Sequence, residues 1–111
     1  MYFQVASKLV VTNSGGKQYS QAVDMAGGNA IYVEATAFNI TSGSLRLTVQ
    51  EGNDLENWSD VTVANSTLTF TAANYGTLKV TSIAAQYVRL VYEQATSGTG
   101  IVGAGVNVAN L

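Results

Sequence analysis

Four of the chain's seven acidic residues fall between Glu51 and Asp60: these two, Asp54 and Glu56, interleaved with Asn53 and Asn57. Carboxylate and amide oxygens at such short spacing suit a hard cation, and Ca²⁺ takes six to eight of them. The candidate ligands are Glu51, Asn53, Asp54 and Glu56, although the spacing is not that of an EF-hand loop. The same residues also suit a turn whose Asn53 and Asp54 side chains cap their own backbone, with Trp58 anchoring the corner into the core. Direct contact with a ligand is a third use. Two aromatic residues beside turns, Tyr19 and Tyr75, are candidates for exposure, where a tyrosine can stack on a sugar ring or sit in an interface.

Other chemistry is poorly provided for. The chain has no His and no Cys, so the commonest general base, thiolate ligands and disulfides are all missing. A Ser nucleophile would need a Lys or carboxylate base. Gly98-Thr99-Gly100-Ile101-Val102-Gly103 spells a dinucleotide fingerprint, but only eight residues follow it and no βαβ unit fits in them. We therefore expect a non-enzymatic protein without a cofactor.

Charged residues make up 11% of the chain, against roughly 25% in an average domain. The five basic residues, Lys8, Lys17, Arg46, Lys79 and Arg89, are scattered, which excludes the basic patch that nucleic-acid binding needs. No apolar run is long enough for a membrane span, and no leader pattern is visible, which points to cytoplasmic synthesis. A net charge of -2 gives little mutual repulsion and favours self-association.

The elements that must position these groups read as strands. Period-two alternation is clear at Leu45, Leu47 and Val49, at Leu68 and Phe70, and at Val88, Leu90 and Tyr92. Gly- and Asn-rich turns recur every 8–12 residues or so, the rhythm of a sandwich or barrel. The expected strands are Gln4–Thr12, Gln18–Val23, Ala30–Asn39, Ser44–Gln50, Asp60–Val63, Thr67–Thr71, Gly76–Thr81, Tyr87–Gln94 and Ile101–Val108. One helical turn is expected at Ile83-Ala84-Ala85, and Phe38, Trp58 and Phe70 are expected in the core. The reading is one all-β domain spanning residues 1–111, an antiparallel, jelly-roll-like sandwich of eight or nine strands. Proline is absent and charge is scarce, so strand edges are open to other subunits.

The corner Glu51-Gly52-Asn53-Asp54-Leu55-Glu56-Asn57-Trp58, followed later by Tyr87-Val88-Arg89-Leu90, resembles a pattern common in discoidin-like sandwiches and in many bacteriophage virion proteins. There the form is Gly/Ser-Asn-Asp-Gly-x-x-Trp, then aromatic-Val-Arg-aliphatic. The match runs from Leu45 to Val106. It departs at Leu55, where the pattern has Gly, and it lacks the flanking helices and Cys pair of discoidin domains, which favours the phage-type structural version. The resemblance implies that Trp58 is a packing residue with Arg89 near it on a strand. It also implies a decoration, stabilising or head-appendage subunit of a virion, made in the host cytoplasm and acting as a homo-oligomer on capsid or other virion proteins. The expected interface residues are Tyr2, Phe3 and Val5 in an N-terminal arm and Val106, Val108 and Leu111 at the C-terminus. The alternative is a carbohydrate-binding or adhesion module, Ca²⁺-assisted at the corner, with Tyr19 and Tyr75 as its ligand contacts.

Overall fold

The computed structural model describes residues 2–61, 66–95 and 97–111. Among the described residues there are ten strands: β1 (Tyr2–Thr12), β2 (Gln18–Tyr19), β3 (Val23–Asp24), β4 (Ala30–Ile40), β5 (Ser44–Gly52), β6 (Ser59–Asp60), β7 (Thr67–Phe70), β8 (Asn74–Val80), β9 (Tyr87–Ala95) and β10 (Thr99–Ala109). One antiparallel sheet has the order β1-β10-β4-β8. In the other, β2 and β3 both pair with one side of β9, β5 pairs with its other side, and β6 and β7 both line the far side of β5. Each sheet therefore has four rows. The chain crosses between the sheets in the double Greek-key order of a jelly roll.

The excess over nine strands has a local cause. The expected strand Gln18–Val23 is interrupted at Ser20, whose hydroxyl accepts the Leu90 N–H at 2.9 Å. Its own N–H donates to the Leu90 carbonyl at 2.9 Å, so a side chain replaces one rung and splits the row into β2 and β3. The expected strand Asp60–Val63 begins as β6. Its end at Val63, and the turn residues Asn65 and Thr96, lie outside the described residues. The expected helical turn at Ile83 does not form. The Ile83 N–H donates to Asn29 O at 2.9 Å and its side chain is buried, so this stretch is tied across the sandwich and does not bond to itself.

The core is the inward face of both sheets, as alternation requires. Val5 and Val11, Ile31, Val33, Ala35 and Ala37, Leu45, Leu47 and Val49, Leu78 and Val80, Val88, Leu90 and Tyr92, and Val102, Ala104 and Val106 all point into it. The Tyr92 ring is fully buried, and its hydroxyl donates to the Val5 carbonyl at 3.2 Å, joining the two layers. Burial pushes that hydroxyl far above the ordinary tyrosine range. Val91, on the opposite face of β9, is also buried, so this central strand is covered on both sides.

Two of the three aromatics expected in the core are elsewhere. Phe70 is buried, but Phe38 is 48% exposed. Parity decides this: Phe38 shares its face of β4 with Tyr32, Glu34 and Thr36, and it sits where the β4–β10 register slips by one residue. Trp58 is half-buried on an outer face, over Gly52, where an added Cβ would lie 3.3 Å from its ring.

The terminal segments are not free arms. β1 pairs with β10 from Tyr2↔Asn107 to Thr12↔Thr99. Val5 and Val106 are core residues, and Phe3 and Val108 pack against the core. Of the six expected interface residues only Tyr2 and Leu111 are exposed, and the Leu111 backbone is held at both its N–H and its carbonyl by the Asn29 side chain. Apolar residues at the ends of this chain are explained by their pairing with each other.

Candidate functional site

The acidic corner follows β5. Asp54 caps the turn: its Oδ1 accepts the backbone N–H groups of Glu56 at 3.1 Å and Asn57 at 2.8 Å, and its Oδ2 accepts from Asn57 Nδ2 at 2.6 Å. These bonds to Asn57, then the one to Glu56, hold the Asp54 carboxyl below its ordinary pKa. Asn53 Oδ1 accepts the Gln86 N–H at 2.9 Å, tying the corner to the segment before β9. Asp54 Oδ1 and Asn53 Oδ1 thus accept from the backbone, and Asp54 Oδ2 accepts from the Asn57 side chain. Glu51, Asn53 and Asp54 line one shallow depression, which Glu56 does not join, and among the described residues no group of three or more His, Cys, Asp or Glu could hold a metal ion. Leu55, at the pattern's Gly position, has φ +66°, the left-handed conformation that Gly adopts without cost.

Trp58 leaves this corner to cover Arg89. The guanidinium lies between two rings, 4.5 Å from that of Trp58 and 4.3 Å from that of Tyr19, and its Nε donates to Gln50 Oε1 at 2.9 Å. Around this stack the outer face of the second sheet is polar and self-satisfied. Arg46 pairs with Glu93, and Gln50 Nε2 donates to Asp60 at 3.0 Å. The Trp–Arg pairing that the resemblance implies is therefore a stacking contact on a surface, with Tyr19 as its third member.

The outer face of β1-β10-β4-β8 is different. Among the described residues the exposed large hydrophobics are Tyr2, Val10, Tyr19, Tyr32, Phe38, Leu55, Tyr75 and Leu111, and five of them (Tyr2, Val10, Tyr32, Phe38, Tyr75) lie here. β10 runs through the middle and presents Gly103 and Gly105 outward, so the strand has a bare backbone floor. The Tyr2 ring lies on Gly105, occupying the space a Cβ would need, and Phe38 lies against Gly103 at 3.1 Å from such a Cβ. In the centre, the Tyr75 hydroxyl donates to Glu34 Oε2 at 3.2 Å. Lost hydration, then the bond to Glu34 and its charge, raise the Tyr75 hydroxyl above its ordinary pKa. At one end Lys79 Nζ stands 5.5 Å from the Tyr32 ring, and at the other Lys8 Nζ stands 5.9 Å from the Phe38 ring.

The result is a shallow trough in two compartments that meet at Tyr2 and Glu34. One, of about 270 Å³, runs toward Phe38 and Lys8. The other, of about 390 Å³, runs toward Tyr32 and Lys79. Tyr75 lies in this trough, whereas Tyr19 is on the opposite face, so the two tyrosines grouped by the sequence do not form one site. Tyr32, Glu34 and Phe38 were missed as site residues. Their signal was parity along β4, where the inward set Ile31, Val33, Ala35 and Ala37 is uniformly apolar and leaves the even positions to face out.

No known family model matches the chain, and no curated protein matches it in sequence. Solved structures share its fold. The SPBc2 prophage-derived protein YomS superposes with a TM-score of 0.56 at 12% identity, covering 96% of this chain and 92% of that one. A protein of Bacillus endospore appendages, described as a family of disulfide-linked pili, gives 0.52 at 11% identity, covering 100% and 90%. PirA gives 0.50 at 13% identity, covering 96% and 92%. At such identities the likeness establishes a common sandwich fold, carried here by a chain of nearly the same length as each of the three.

Proposed function

We propose that this chain is a non-enzymatic structural subunit of a phage-type virion, a capsid-decoration or head-appendage protein that forms homo-oligomers and binds a larger shell. It acts as one sandwich domain whose work is surface burial. The observation that carries the reading is the edge at β8. Among the described residues β8 pairs only with β4, through seven successive residue pairs from Val80 to Asn74 without a register shift. The opposite edge, β1, is interrupted by two register shifts and by Lys8 at φ +49°, devices that blunt an edge against pairing. β8 has no bulge and no Pro, and its one charge is Lys79. Such an edge accepts a further strand, and a second copy supplies one.

Other features support the reading. The like-folded structures include a prophage-derived protein and a pilus-forming appendage protein. The chemistry at the centre of the trough is a carboxylate beside a tyrosine hydroxyl, with no His or Cys in the chain to serve as base or nucleophile. The contacts expected from terminal arms move to the β8 edge, because β1 and β10 are spent on each other.

The test is the solution mass by light scattering over a hundredfold concentration range, with and without Ca²⁺. A defined multimer that is indifferent to Ca²⁺ supports the reading. A monomer throughout overturns self-assembly, and a Ca²⁺-dependent mass or melting temperature would return the corner to the centre of the account.

A further inference from the structure

We propose that the trough across β1, β10, β4 and β8 is a binding site for a neutral oligosaccharide chain. The proposal does not depend on assembly, since pairing at the β8 edge extends the sheet sideways and leaves its outer face open.

The walls are aromatic and the centre is polar. Tyr2, Tyr32, Phe38 and Tyr75 are each about half exposed, with Lys79 over Tyr32 and Lys8 over Phe38, while Glu34 is exposed, with Tyr75 as its hydrogen-bond donor among the described residues. A sugar ring needs both: its C–H face packs on an aromatic ring, and its rim hydroxyls donate to a planar carboxylate or amide such as Glu34 or Gln4. The glycines of β10 let the walls lie low on the sheet, with Tyr2 resting on Gly105 and Phe38 against Gly103. The outward residues of β4 recur at about 6.7 Å, so the track from Tyr32 to Phe38 is about 20 Å long. That length fits a short chain better than a single sugar, and the two compartments on either side of Glu34 offer successive seats.

Other occupants fit the same chemistry less well. A phosphate polymer needs a run of cations, but among the described residues the trough has two, Lys8 and Lys79, at opposite ends over rings with Glu34 between them. An apolar peptide or a lipid would bury the Glu34 carboxylate against groups that cannot hydrogen-bond it, which is costly. A two-fold axis near the trough centre would also bring two Glu34 side chains together. A hydroxyl-bearing ligand avoids both penalties.

The experiment is titration calorimetry of the full chain with neutral hexasaccharides of glucose, mannose, galactose and xylose. At least one should bind. Tyr75→Ala and Phe38→Ala should each weaken it by about tenfold or more, and Glu34→Gln should weaken it measurably. Tyr75→Phe keeps the ring and should retain most of the affinity, which separates stacking from loss of fold. Tyr19→Ala, on the opposite face, should bind like the wild type. All these positions are at the surface, so the melting temperature should shift by only a few degrees. No binding of any of the four at millimolar concentration overturns the proposal, as does wild-type affinity in both ring deletions. A change of solution mass in Tyr75→Ala or Phe38→Ala, with no change in sugar affinity, would assign the face to a second copy instead.

Discussion

Removing the Arg89 guanidinium tests the link between the sequence pattern and the surface it builds. Arg89 is half-buried between the rings of Tyr19 and Trp58 and donates to Gln50 at 2.9 Å. Each cation–π contact contributes about 0.5–1 kcal/mol at a partly exposed site. The hydrogen bond adds about 1 kcal/mol net. Arg89→Ala should therefore cost about 2–3 kcal/mol, most of it recovered by neither Lys nor Met, since only a planar fork fills the slot and reaches Gln50. The pairwise part is measured by a double-mutant cycle of Arg89→Ala with Trp58→Leu in urea melts, where the coupling should be about 0.5–1 kcal/mol. Trp58 is the sole Trp, so its fluorescence emission reports the same contact independently and should shift when Arg89 is replaced. A stacked cation is screened by salt less than the exposed Arg46–Glu93 pair, so the coupling should survive in 1 M NaCl. A coupling indistinguishable from zero, with unchanged emission, would refute the assignment of Trp58 as packing on Arg89.

Leu55 is 51% exposed at φ +66°, so Leu55→Gly should stabilise the protein by about 0.5–1 kcal/mol, read as a higher urea midpoint. Tyr92→Phe removes the bond to Val5 O without opening a cavity and should cost about 1 kcal/mol near neutral pH. Because the folded state raises the Tyr92 pKa, its contribution is whole below the unfolded value, about 10, and is lost as pH rises above it. The wild type should thus lose stability from about pH 10 upward, by up to about 1.4 kcal/mol per pH unit from this group, and Tyr92→Phe should flatten that dependence, leaving the part due to Tyr75. Asp54 behaves in the opposite sense: its folded pKa is depressed below 3.8, so the capping bonds contribute above the unfolded value and are lost as pH falls through the folded one. Asp54→Ala should lower the melting temperature at pH 7 and match the wild type in acid. Gly52→Ala places a Cβ 2.5 Å from the Asn57 carbonyl, and a shift of that turn should cost about 1–3 kcal/mol and move Trp58 emission.

The strand pattern was legible because burial imposes a period of two. Leu45, Leu47 and Val49 in β5 and Val88, Leu90 and Tyr92 in β9 are read inward from sequence and are inward in the fold. What the pattern cannot carry is contact between distant segments. β1 and β10 lie at opposite ends of the chain, so their apolar residues looked unpartnered until the topology paired them. The break at Ser20 depends on a hydroxyl meeting Leu90 from β9, which no local rule reveals. Phe38 is a different case: parity alone places it beside Glu34, and hydrophobicity outweighed parity in assigning it to the core. The site was partly legible for the same reason. Tyr75 was recognisable as exposed from its turn, but its partners Glu34 and Tyr2 come from β4 and β1, and the glycine floor from β10.

The central claim is that copies of this chain meet through β8. Hydrogen–deuterium exchange read peptide by peptide, at concentrations below and above the onset of association, tests it most directly. The account predicts that amides of Asn74–Val80 facing the open edge exchange rapidly in dilute protein and become protected as the mass rises, while those of β1 do not change. Association that leaves β8 exchange unaltered, or that protects β1 instead, would contradict it.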